Sequence, residues 1–151
     1  MTLDELIARV EDKLPPAPED QLAQFEAGIG HCLPEDYRYF LVRCNGGHLG
    51  GRYGINTIGG FRKETDYSLV DNWNVYCDRI PDPLIWIMDD PFGNAICLCL
   101  AGKNAGAVYH WDHENEPVED HWDGAMETAG NIVLLAKSFT DFVNGLEELP
   151  D

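Results

Sequence analysis

Two unbroken apolar runs, LIWIM at residues 84–88 and AICLCLA at residues 95–101, most constrain what this chain can become. Both have strand length, and their hydrophobicity is continuous rather than alternating, as expected for strands covered on both faces. Between them Asp89, Asp90, Pro91, Phe92, Gly93 and Asn94 carry turn chemistry, so the two runs form a hairpin. A loop from Gly102 to Gly106 leads to a third run, AVYHW, which alternates more and runs into acidic, proline-containing residues. The three together read as a meander.

Strands buried on both faces need helices to cover them, and the flanking sequence supplies helical periodicity. Thr2 and Glu5 have capping-box spacing, with Leu3, Leu6, Ile7, Val10 and Leu14 following at helical intervals until Pro15 and Pro16. A second helix is expected from about Pro18, with Leu22, Phe25, Ala27 and Ile29 near its apolar side and a stop around Gly28 to Gly30. A third begins after Leu33 and places Tyr37, Phe40, Leu41 and Cys44 on one face, ending at Asn45, Gly46 and Gly47. The segment from Thr65 to Asp78 suits a fourth helix, closed by Ile80 and Pro81. NIVLLA, residues 131–136, fits a short helix or a strand, and Ser138 is positioned as an N-cap for a last helix bearing Phe139, Phe142, Val143 and Leu146.

A chain of 151 residues has the length of one domain, and neither a repeat nor a linker divides it. No run of about 18 to 20 apolar residues exists to span a bilayer, and MTLDELIARVEDK places acids where a signal peptide needs bases, so the cytosol is the expected compartment. The odd number of cysteines, five, agrees with a reducing compartment; Cys32, Cys44, Cys77, Cys97 and Cys99 show no CxxC spacing and read as small buried hydrophobes. Acids outnumber bases 27 to 10, giving a formal net charge of −17 and a sequence pI near 4.4. That field repels phosphate backbones and anionic lipid, which argues against nucleic acid and membrane as partners. It is concentrated late in the chain, where Lys137 is the only basic side chain after Lys103.

Catalytic and ligand motifs are weak by comparison. The glycine-dense stretch from Gly46 to Gly60 fits neither a Walker A nor a dinucleotide fingerprint, and reads as a loop with a short strand near Tyr53 to Ile58. Cys44 and His48 are close in sequence, yet a buried helix cysteine is the simpler reading. Asp89 and Asp90 are adjacent carboxylates, but strand-end neighbours point apart, so they suit a turn and an acidic rim better than an acid/base pair. In HWDHE, His110 and Asp112 face one side of a strand and His113 the other, so the histidines converge only if the strand ends between them. Neither HExxH nor an HxE…CxxC pattern is present, and neither a metal nor another cofactor is expected.

In chain order, LPEDYRYFLVRCNGG, IPDPLIWIMDDPFGNAICLCL, GAVYHWDHE and LAKSFTDFVNGL resemble the SUKH superfamily, which includes fungal cell-wall-assembly regulators and bacterial immunity proteins of polymorphic toxin systems. The resemblance runs from about Leu22 to Leu146. It implies a single-domain α+β fold, with N- and C-terminal helices packed on a mixed or antiparallel sheet, and no catalytic activity. It also implies a protein partner, which for the immunity members is a cognate toxin, commonly a nuclease or other nucleic-acid-modifying enzyme. The chain's charge suits such a partner, because an enzyme acting on nucleic acid presents a basic groove. The expected contact surface combines Asp89, Asp90, Asp112, Glu114, Glu116, Glu119, Asp120 and Trp122. Trp111 reads as core, whereas Trp122 is open between core and an interface anchor.

Overall fold

The computed structural model describes residues 1–118 and 122–148. Its centre is the expected hairpin. Strand β3 (Leu84–Asp89) pairs antiparallel with β4 (Ala95–Cys99), and every residue of both except Asp89 is buried. The sheet grows outward in strict chain order. β1 (Gly47–His48) and β2 (Thr57–Ile58) lie on one side, β5 (Val108–Trp111) and β6 (Ile132–Ala136) on the other, and every neighbouring pair is antiparallel. The sheet is therefore a six-stranded open antiparallel meander, and with its helices the fold is α+β.

Helix α1 (Leu3–Arg9) is capped as its sequence predicts: the Thr2 side chain accepts the Glu5 N–H at 3.1 Å. It stops earlier than the periodicity predicts. Asp12 takes a left-handed backbone (φ 58°), and Glu11 and Leu14 instead form bridges to His48 and Asn45. Helix α2 (Glu19–Ile29) ends at Gly30 in left-handed geometry, and α3 (Glu35–Arg43) buries Tyr37, Phe40 and Leu41. The fourth helical region divides into a 3-10 turn (Thr65–Tyr67) and α4 (Leu69–Tyr76), because Ser68 caps the latter by accepting the Asp71 N–H at 3.1 Å. NIVLLA resolves as strand β6, preceded by a one-turn α5 (Met126–Ala129) and followed by α6 (Phe139–Asn144), with Ser138 as its N-cap.

Helices α1, α3 and α6 pack on one another. Phe139 lies edge-on to Tyr37 at 5.2 Å between ring centroids and 5.1 Å from Phe40. The Asp36 carboxylate ties α3 to α6 by accepting the Thr140 N–H at 2.8 Å and its hydroxyl at 2.9 Å. Helix α4 covers the sheet face that carries Trp86 and Trp111, with Tyr76 edge-on to Trp111 at 5.6 Å. The buried apolar side chains form one continuous cluster.

Part of the glycine-rich stretch, at Gly47, Gly59 and Gly60, permits close backbone approach. A Cβ on Gly60 would overlap the carbonyl of Asn45 and the amide of Gly46. Asn45, itself buried, clamps the same place: its amide donates to the Pro15 carbonyl at 3.2 Å and its Oδ1 accepts the Phe61 N–H at 2.7 Å. Two cysteine expectations need correction. Cys44, Cys97 and Cys99 are buried, but Cys32 and Cys77 are exposed, since each lies just past a helix on the outer side of the core. Among the described residues, no helix is long and apolar enough to cross a membrane.

Candidate partner-binding surface

The β3–β4 turn is fixed by one carboxylate. Asp90 accepts the main-chain N–H of Phe92 at 2.9 Å, that of Asn94 at 2.9 Å and the Asn94 side-chain amide at 3.1 Å. His110 Nε2 lies 3.1 Å from its second oxygen. Burial pushes the Asp90 carboxyl up, but the donors from Asn94, His110 and Phe92 outweigh it and hold the group below the usual carboxylate range. Asp89 shifts the other way: its burial prevails over the Thr57 N–H that it accepts at 2.7 Å.

The consequence for pH has a definite sign. A carboxylate depressed in the folded state stabilises fully above its unfolded value of about 3.9, and that contribution disappears as pH falls through the folded value. Asp90→Asn is therefore expected to cost about 1–2 kcal/mol at pH 7. The difference from wild type should shrink progressively as urea melts are repeated below about pH 4. A pH-independent difference would remove the ionised carboxylate from this account. Comparing variants is necessary because Asp89 responds in the opposite direction.

The other side of the mouth comes from the end of β5. The strand stops at Trp111, and a 3-10 turn (His113–Asn115) follows. Asp112 accepts the Glu114 N–H at 2.9 Å and the Asn115 side-chain amide at 2.5 Å. The Asn115 amide, then the Glu114 N–H, hold its carboxyl below the usual range. Because the strand ends there, both histidines turn toward the β3–β4 loop, His110 to Asp90 and His113 to Asn94, with His113 Nδ1 2.6 Å from Asn94 Oδ1. They meet different atoms. Among the described residues, no three His, Cys, Asp or Glu side chains are grouped to hold a metal ion. The Cys44 thiol is pushed up to about 12 by burial, which leaves no thiolate at neutral pH.

The acids that the sequence marks for this surface have different duties in the fold. Asp89 and Asp90 are half-buried and occupied by the fold's own N–H groups; Asp112 is a cap; Glu114 is exposed. Glu116 and Trp122 belong to a neighbouring groove of about 440 Å³, lined also by Val75, Asp78, Arg79 and Pro117. There Arg79 donates to both Glu116 oxygens, at 3.0 and 2.8 Å, and the Trp122 indole N–H donates to the Ala125 carbonyl at 3.2 Å. Glu119 and Asp120 lie outside the described residues.

One residue was passed over. Phe92, at the tip of the turn that Asp90 locks, is 79% exposed. The sequence contained the signal, since an aromatic between Pro91 and Gly93 in a hairpin turn has no sheet face to cover it. An exposed aromatic on a turn whose backbone is hydrogen-bonded in place has the physical character of an interface anchor.

Comparison with known proteins agrees with this architecture. The SMI1 / KNR4 family (SUKH-1) matches residues 16–145. The chain is also 28% identical over 158 residues to the SPbeta prophage-derived uncharacterized protein YokK of Bacillus subtilis (strain 168), a match covering 87% of this chain and 75% of that protein. With most of its length matched, and with the α+β meander in place, this chain belongs to the SMI1 / KNR4 (SUKH-1) family.

Proposed function

We propose that this protein is a cytoplasmic immunity protein that binds and neutralises a cognate toxin by occlusion, without catalysis of its own. The toxin is of the basic, nucleic-acid-modifying kind. The observation that carries the reading is Phe92, exposed on a hydrogen-bonded turn to which His113, between Asp112 and Glu114, is joined through Asn94, in a chain of net charge −17. Acidic side chains accelerate encounter with a basic groove and compete there with phosphates, while an exposed aromatic on a fixed turn supplies contact that persists once the two have docked. Glu116 and Trp122, which line one groove, belong to the same proposed surface together with Asp89, Asp90, Glu119 and Asp120, Asp89 and Asp90 adding to its negative field rather than to direct contacts.

The test begins with a tagged pull-down from native cells at low and moderate salt, with mass spectrometry of the retained proteins. One toxin with a basic domain, recovered in near-equal amount, is expected; a broad set of housekeeping proteins would support a regulatory interaction module instead. With the partner in hand, Phe92→Ala is expected to weaken binding by about 30-fold, mainly through faster dissociation. Glu114→Lys should instead slow association and reduce its salt dependence. Neither change should move the urea midpoint, since both side chains are exposed. Unchanged affinity in both variants would locate the interface elsewhere.

A further inference from the structure

Residues of α2, of α4 and of the segment before α4 line a groove of about 760 Å³, whose apolar part is formed by Phe25, Ile29, Phe61 and Trp73. Phe25 and Phe61 meet edge-on there, at 5.8 Å between ring centroids. An apolar lining of this size with a few polar groups on it has the character of a ligand site. None of the residues assigned to the toxin surface lines it.

Three features of the lining define what fits. Gly28 lies inside α2, where glycine is a poorer helix former than alanine. Its backbone is helical, and a Cβ there would meet no neighbouring atom within 4 Å. Neither strain nor packing within the described residues requires glycine at this position, whereas the main chain of a molecule laid against the helix would. The second feature is amide chemistry. Gln21 and Gln24 on α2 and Asn74 on α4 are exposed on the lining, and a carboxamide offers the donor and acceptor that a peptide group presents in return. The third is charge. In a chain of net charge −17 this groove carries Arg62 and Lys63 against Asp71 alone. Arg62 is held by Glu64 at 3.2 Å, while Lys63 is exposed and has no ion pair among the described residues. An apolar side chain, a peptide group and a carboxylate are therefore wanted close together, and the last residue of a polypeptide supplies all three by itself.

We propose that this groove binds the C-terminal residue of a partner polypeptide, its apolar side chain against Phe25, Phe61 and Trp73, its main chain along Gly28 and the carboxamides, and its carboxylate at Lys63. The site is separate from the acidic surface and does not depend on the toxin reading. The test is an NMR titration of the isotope-labelled full chain with N-acetyl-Ala-Ala-Phe bearing a free C-terminus, to about 20 mM. Saturable shifts in the amides of α2 and α4 are expected, with a Kd of about 1 mM for so small a probe. The same peptide with a C-terminal amide should bind about fivefold more weakly, and Lys63→Ala should abolish that difference. Gly28→Ala should weaken binding about tenfold while raising the urea midpoint by about 0.3 M, a pair of changes that a merely structural role does not produce. Hydrocinnamate, which has the ring and the carboxylate but no peptide group, should bind at least about fivefold more weakly than the peptide. Absence of saturable shifts in α2 and α4 overturns the proposal. So does equal affinity for acid and amide, or a Gly28→Ala variant that binds as wild type does. Hydrocinnamate bound as tightly as the peptide would also overturn it, assigning the groove to small carboxylates instead.

Discussion

Trp111→Ala should lower the folding free energy by about 3–5 kcal/mol in urea titrations followed by circular dichroism, a large share of the roughly 5–15 kcal/mol that holds a domain together. The indole is fully buried on β5. Its removal opens a cavity under α4 and takes away the edge-on contact with Tyr76 at 5.6 Å. The effect should also reach the surface. Arg79 lies 4.9 Å from the Tyr76 ring and 5.4 Å from that of Trp111 while it pairs with Glu116, so the wall of the Glu116–Trp122 groove rests on the buried ring. Trp111→Phe should cost much less, because among the described residues the indole N–H has no hydrogen-bond partner to lose. A loss below about 1 kcal/mol for the alanine variant would show that the ring is not a support of the core.

Gly60→Ala should be nearly as damaging, at about 3 kcal/mol, although it adds one methyl group. That methyl would enter the backbone of Asn45 and Gly46, which cannot move aside as a side chain could. The displacement would pull on the Asn45 clamp and on both main-chain bonds of Gly60, to Tyr67 and from Leu69. Gly102→Ala provides the control. Gly102 has a left-handed backbone (φ 83°) but open space around its Cβ position, so only conformational strain of about 1–2 kcal/mol is expected. A loss at Gly60 no larger than that at Gly102 would mean that the Asn45–Gly46 backbone yields to the added methyl and that close approach is not what Gly60 serves. The two residues look identical in the sequence. Only the tertiary neighbour distinguishes them.

That contrast marks how far the sequence could be read. Continuous apolar runs report burial on both faces, and β3 and β4 lie where such runs predict. Caps are local, so Thr2 and Ser138 were legible, as was the glycine stop at Gly30. Partnership is not local. A carboxylate reads the same whether it faces solvent, as Glu114 does, caps a turn, as Asp90 and Asp112 do, or grips an arginine 37 residues away, as Glu116 does. The separation of these acids into structural and available ones therefore required the fold. NIVLLA remained open between helix and strand because an exposed edge strand has no alternation to display: both of its faces are apolar and both are wet.

The order of the sheet bears on how the protein is made. Since β1 to β6 lie side by side in the sequence in which they are synthesised, each strand emerging from a ribosome finds its neighbour already present, and every strand pairing closes a short or moderate loop. The Asp36–Thr140 tie, spanning 104 residues, has the opposite character and waits for α6. Synthesis order thus allows the sheet to pair from β1 toward β6 before its two helical ends are tied together, and among the described residues β6, the last strand delivered, has no strand on its outer side.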